Sequence, residues 1–176
     1  MKKLIALLCA ALMLACAFAS AENASIVDFR DRFQLSGVLP EGYRFTRESE
    51  DDVSLMGRIV SDDPAAPSFD VCVFFNESYA AVASLKDLDD ATLEGIRQGF
   101  SAENEVQFDA IETASGNRLL VIREIGSDPD FLDFYTICQG HEIELTLRAA
   151  DGQSLSDAQI NNCLEFMRTF DVLPLH

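Results

Sequence analysis

Hydrophobic and polar positions alternate along most of this chain, and in two places the alternation gives way to a helical period. Leu39-Pro40-Glu41-Gly42-Tyr43 is a turn signal: Pro40 fixes its own φ, Gly42 is free to take a positive φ, and the chain passes into the alternating stretch Tyr43 to Arg47. Strands are expected there, at Val53 to Val60 and at Ser68 to Asn76, with Pro64 and Pro67 keeping the intervening loop out of a ladder. Leu93, Ile96 and Phe100 then recur at helical spacing, which predicts a helix over Asp90 to Ser101, with Asp89, Asp90 and Glu94 at its dipole-favoured start.

Four further strands are predicted at Glu105 to Thr113, Asn117 to Ile125, Asp130 to Gln139 and His141 to Ala149, joined by connections short enough to require antiparallel hairpins. A second helix starts at Ser156, where Gln159 completes a capping box and Leu155 and Ile160 form a staple; Ile160, Cys163, Leu164, Met167 and Phe170 line its inner stripe. Phe170 to Leu173 closes the chain, and a short helix is expected at the front, around Ile26 to Phe33. The third strand, with Phe69, Val71, Val73 and Phe75 on one side and Cys72 and Phe74 on the other, reads as covered on both faces in the middle of a sheet. The strand from His141 alternates dry and wet, with Glu142, Glu144, Thr146 and Arg148 on the wet side, and reads as nearer an edge. Together these elements predict an α+β fold: an antiparallel sheet of about six or seven strands flanked by helices.

Ahead of all this, MKKLIALLCAALMLACAFASA combines Lys2 and Lys3, an apolar run from Leu4 to Leu14, and small residues at Ala17, Ala19 and Ala21. That is the pattern of a secretory signal peptide, expected at residues 1–21, with cleavage after Ala19 or Ala21. The run is short for a membrane span and no basic stop-transfer flank follows, so no membrane span is expected. Met13-Leu14-Ala15-Cys16 resembles a lipobox with methionine in place of the usual leucine, which makes a lipid anchor at Cys16 the competing outcome. Residues 22–176 contain no linker or repeat and are expected to form a single α+β domain.

Without the leader, 11 basic side chains face 30 acidic ones, so a nucleic-acid partner is excluded by charge. Candidate chemistry is sparse. Cys72, Cys138 and Cys163 read as small buried hydrophobes, with a Cys72 to Cys138 bridge as the alternative, and their spacing is not that of a zinc site. His141 is expected exposed at a hairpin turn and His176 is the last residue, so a serine or cysteine hydrolase is disfavoured. Glu48, Glu50, Asp51 and Asp52 read as solvated surface, and the absence of tryptophan weighs against a sugar-stacking glycosidase. Ser61-Asp62-Asp63 and Ser127-Asp128-Pro129-Asp130 offer oxygen ligands for calcium on loops, but both are also ordinary turn formers, and no metal or cofactor site is assigned. Tyr43, Tyr79 and Phe131 lie near predicted strand ends, where a contact patch competes with a rim of the core.

The LPEGY lead-in, the mid-chain helix, the run of hairpins and the final capped helix SLSDAQINNCLEFMRTF resemble, in that order, the Mog1/PsbP-like sandwich. The alanine-rich leader, LPEGY and the acidic loops also resemble small secreted proteins of uncharacterised function from gut Firmicutes. The resemblance implies a fold used for binding and accessory roles and carries no site residue with it. The sequence therefore points to a secreted or cell-surface non-catalytic binding protein for a protein or small ligand; the alternative is an extracellular hydrolase using carboxylates.

Overall fold

Ten strands and two helices follow one another in the computed structural model, which describes residues 24–100, 105–113, 115–125, 132–150 and 153–175. The leader with Cys16, the second calcium candidate at 127–130, Phe131 and His176 lie outside the described residues. β1 (Ala24–Phe29), β2 (Phe33–Gly37) and β10 (Asp171–Pro174) form a three-stranded sheet in the order β1-β2-β10. The other seven are β3 (Tyr43–Glu50), β4 (Ser54–Ser61), β5 (Ser68–Phe75), β6 (Glu105–Glu112), β7 (Arg118–Ile125), β8 (Leu132–Cys138) and β9 (His141–Arg148). They form one antiparallel sheet in the order β3-β4-β5-β9-β8-β7-β6. The α+β class and the hairpin-built sheet expected from the sequence are those of the structure.

The topology is two meanders joined along β5 and β9. The first follows from the turn signal at its start: Gly42 takes a φ of +80° and the Tyr43 amide donates to the Pro40 carbonyl at 3.0 Å. The last hairpin turns on Gln139 and Gly140, both at positive φ, the geometry that matches the right-handed twist of the flanking strands. Between the meanders the chain crosses through two 3-10 turns, Glu77–Tyr79 and Leu85–Asp87, and helix α1 (Asp90–Phe100). Asp89 caps that helix, its carboxylate accepting from the Thr92 amide at 2.8 Å. Helix α2 (Asp157–Thr169) begins with the predicted capping box of Ser156 and Gln159.

Alternation along the strands gives the large sheet two unlike faces. Its inner face, carrying Leu55, Val71, Val73, Phe134, Ile143 and Leu145, packs against Phe166 and Met167 of α2 and Phe29, Phe33, Leu35 and Val172 of the small sheet. A smaller cluster on the outer face joins Leu93 and Ile96 of α1 and Leu85 to Leu120, Ile122, Tyr135 and Ile137. α1 thus covers β7 and β8, and among the described residues no helix covers the outer face of β4, β5 and β9.

Three expectations are corrected. The segment Ile26 to Phe33 is a hairpin, not a helix: Val27 and Phe29 alternate inward, and Arg30 and Asp31 turn the chain at φ of 50° and 54°. β5 is interior to the sheet, but only its Phe69, Val71 and Val73 side is buried; Phe74 is 39% exposed on the other. β9 is the central strand of seven rather than a strand near an edge, so its wet face marks an open patch in the middle of the sheet.

Candidate functional site

The open patch is built from rows of residues paired across strands. One row runs Arg58, Asp70, Thr146, Asp133 over β4, β5, β9 and β8; the next runs Met56, Cys72, Glu144, Tyr135 over the same strands. With Glu48 and Arg148, all of these but Tyr135 line a basin of about 450 Å³, within the range of ligand-binding clefts. Local geometry shapes its rim. The register of β3 against β4 slips between Arg47 and Ser49, and the bulge directs Glu48 toward Arg58, at 3.3 Å. Gly57 lets the Phe45 ring lie against the β4 backbone on the inner side; a Cβ there would come within 2.8 Å of the Thr46 carbonyl oxygen.

The charges on this floor are not evenly matched. Asp70 is held by two arginines, by Arg58 Nε at 3.0 Å and by Arg148. Asp133 and Glu144 form none of the described salt bridges. Asp133 is only 4% exposed, and its Oδ1 is buried without a hydrogen-bond partner. Burial pushes the Asp133 carboxyl up to about 6, against the opposing help of the Thr146 hydroxyl and the Arg148 charge. Burial also raises Glu144, reinforced by the nearby charges of Asp133 and Glu142. Cys72, opposite Glu144 on β5, stays a thiol, raised by burial and by Glu144 and Asp70.

Where α1 begins to cover the sheet, the polar groups are satisfied. The Tyr135 hydroxyl donates to Glu142 Oε2 at 2.9 Å, the Asn76 amide donates to the other Glu142 oxygen, and the Phe100 ring lies edge-on to Tyr135 at 5.7 Å. The fixed polar seam therefore closes the Glu142 end of the basin, where the exposed Phe74 stands opposite Glu142 on β5, and the exposed Met56 lines the β4 side.

Several residues weighed in the sequence lie elsewhere. His141, expected exposed, is fully buried within 5.5 Å of the Phe29, Phe33 and Phe75 rings. A turn residue points inward here because β9 begins directly after Gly140 with its inward side. Nδ1 donates to the Gln139 carbonyl at 3.0 Å and Nε2 accepts from Arg32 at 3.3 Å, and burial holds the imidazole pKa below its ordinary range. Cys72 on the outer face and Cys138 on the inner face are both free thiols. Tyr43 donates from its hydroxyl to the Pro67 carbonyl at 3.0 Å, at the rim of the core. At the first calcium candidate, Ser61 and Asp63 accept from the amides of Asp63 and Ala65, as turn residues do. Among the described residues no group of three or more His, Cys, Asp or Glu is placed to hold a metal ion. Glu144 is marked in the sequence by the wet side of β9, whereas Asp70 and Asp133 carry no signal of their own and become site residues only through the pairing of β5 and β8 with β9.

Among the described residues no helix is long and apolar enough to cross a membrane. No family model and no curated protein matches this chain. Among solved structures it is similar to the solution structure of cyanobacterial PsbP (CyanoP) from Synechocystis sp. PCC 6803. The two are 17% identical, the match covers 88% of this chain and 95% of that one, and the TM-score is 0.49. No ligand, partner or activity passes from it to this protein.

Proposed function

We propose that this is an exported, non-catalytic binding protein that takes its ligand on the open outer face of the large sheet. The observation that carries this reading is the open basin on β4, β5, β9 and β8, whose floor includes Asp133, a buried carboxylate with one oxygen, Oδ1, left without a hydrogen-bond partner. A buried polar atom without a partner costs stability, and a ligand able to satisfy it recovers that cost. Export rests on the pattern of residues 1–21, and residues 22–176 are read as one domain. Mass spectrometry of the exported chain is expected to find a new N-terminus after Ala19 or Ala21; a diacylated Cys16 would place the protein on the cell surface instead.

A carboxyl raised to about 6 beside a second carboxylate also favours a hydrolase reading, since such a pair can divide acid and base roles. Against it, the lining of the basin has no aromatic ring on which a sugar could stack, and its thiol is held protonated. The two readings separate on one experiment. The purified exported protein is exposed to fractions of its own culture medium and to a panel of glycoside, ester and peptide substrates. Retention of a specific molecule that shifts backbone amide signals of β5, β8 and β9 supports binding. Turnover abolished by D133N or E144Q would overturn it.

A further inference from the structure

Asp133 is an acid in an unusual position: 4% exposed, lining the basin, with Oδ1 unpartnered, and with Glu144, the Thr146 hydroxyl and Arg148, a guanidinium already engaged by Asp70, as its neighbours. The four carboxylates of the basin outnumber its two arginines, and both arginines are already engaged by Asp70 and Glu48. What the floor lacks is therefore positive charge and a hydrogen-bond donor at one point. A divalent metal would need three or more converging ligands, and none of the described residues form such a group. Beside the acids, Met56 at 50% exposure and Phe74 present an apolar strip on the same face, on neighbouring strands, suited to a methylene stem. We infer that the basin binds a monovalent organic cation, the ammonium or guanidinium end of an amine or a basic side chain, with Asp133 as its buried counter-ion and Glu144 as the second acceptor.

This inference rests on the proposed reading of the open face as the ligand surface, and the test keeps the two apart. Uniformly ¹⁵N-labelled protein is titrated with four probes: n-butylamine, N-acetyl-lysine amide, the neutral N-acetyl-norleucine amide and the anionic N-acetyl-glutamate amide. Saturable shifts of β5, β8 and β9 amides are expected with the two cations and not with the other two. Comparable affinity for both cations points to a free amine as the natural source; tenfold tighter binding of the lysine derivative points to a basic side chain. D133N is expected to weaken cation binding at least tenfold and E144Q at least threefold, with E41Q, on the exposed turn before β3, unchanged. The dispersion of the same spectra reports whether each variant is folded, and E144Q provides an independent arm should D133N fail that check. Equal binding of the norleucine probe, stronger binding of the glutamate probe, or D133N within twofold of the parent overturns the cation while leaving the face as a binding surface. Silence from all four probes overturns the inference, and the capture experiment then decides the surface itself.

Discussion

Asp133 and His141 show how one side chain's surroundings set its behaviour against pH. Both are buried, and burial favours the neutral form of each. For Asp133 the consequence is that the folded protein holds a proton between about 4 and 6 that the unfolded chain has released, so folding stability falls as pH rises through that window. The cost at neutral pH is about 3 kcal/mol at most, the full difference between an ordinary carboxyl and one near 6. D133N is expected to recover most of it: urea midpoints should rise at pH 7 and coincide with the parent near pH 4. An equal loss at both pH values would contradict the burial of an unpaired charge. His141 acts with the opposite sign. Its depressed pKa leaves it neutral in the fold, so stability is present above about 6.5 and is lost as pH falls. H141F, which keeps a ring among Phe29, Phe33 and Phe75, should flatten the acid side of the stability profile; an unchanged slope would show that the imidazole does not titrate on unfolding.

At the scale of elements, Asp171 is the clearest device. It opens β10 as a buried carboxylate and accepts from the Thr113 hydroxyl, the Ser115 amide and hydroxyl, the Asn117 side-chain amide and the Val172 amide. The Asn117 amide also donates to the Val172 carbonyl at 2.8 Å, so the β6–β7 turn of the large sheet is tied to an end strand of the small one. D171A removes a charged acceptor from several buried donors and is expected to cost about 3 kcal/mol in a urea melt. A loss below about 1 kcal/mol would show that packing, not this carboxylate, holds β10. Helix α2 was legible because its caps and its inward stripe are local signals, and the Gly140 turn was legible for the same reason. The front hairpin was not. The spacing of Ile26, Phe29 and Phe33 fits one face of a helix, and only the left-handed turn at Arg30 and Asp31, residues that rarely advertise it, makes them two strands.

For the molecule as a whole, the strands and helices from Tyr43 to Thr169 could be read from the chain, but the three strands of the small sheet and the order of strands in the large one could not. The pairing of β5 with β9 spans the α1 crossover and the three hairpin connections from β6 to β9, and no local pattern announces it. That pairing decides the site, because it places the wet side of β9 beside Asp70 and Cys72 at the centre of the sheet rather than at a margin. The same alternation of Glu142, Glu144 and Thr146 that suggests a solvated edge thus describes an uncovered floor. α1 is just long enough to shelter β7 and β8, and the aromatic seam of Phe100 and Tyr135 ends its reach. The large sheet is consequently core on one side and divided on the other between a helix-covered third and an open, acid-floored face. The most direct measurement of that arrangement is a carbon-detected NMR titration of the Asp133 carboxyl in the free protein. A midpoint near 6, accompanied by amide shifts on β5 and β9, is the predicted result; a midpoint near 4 with shifts confined to β8 would contradict it.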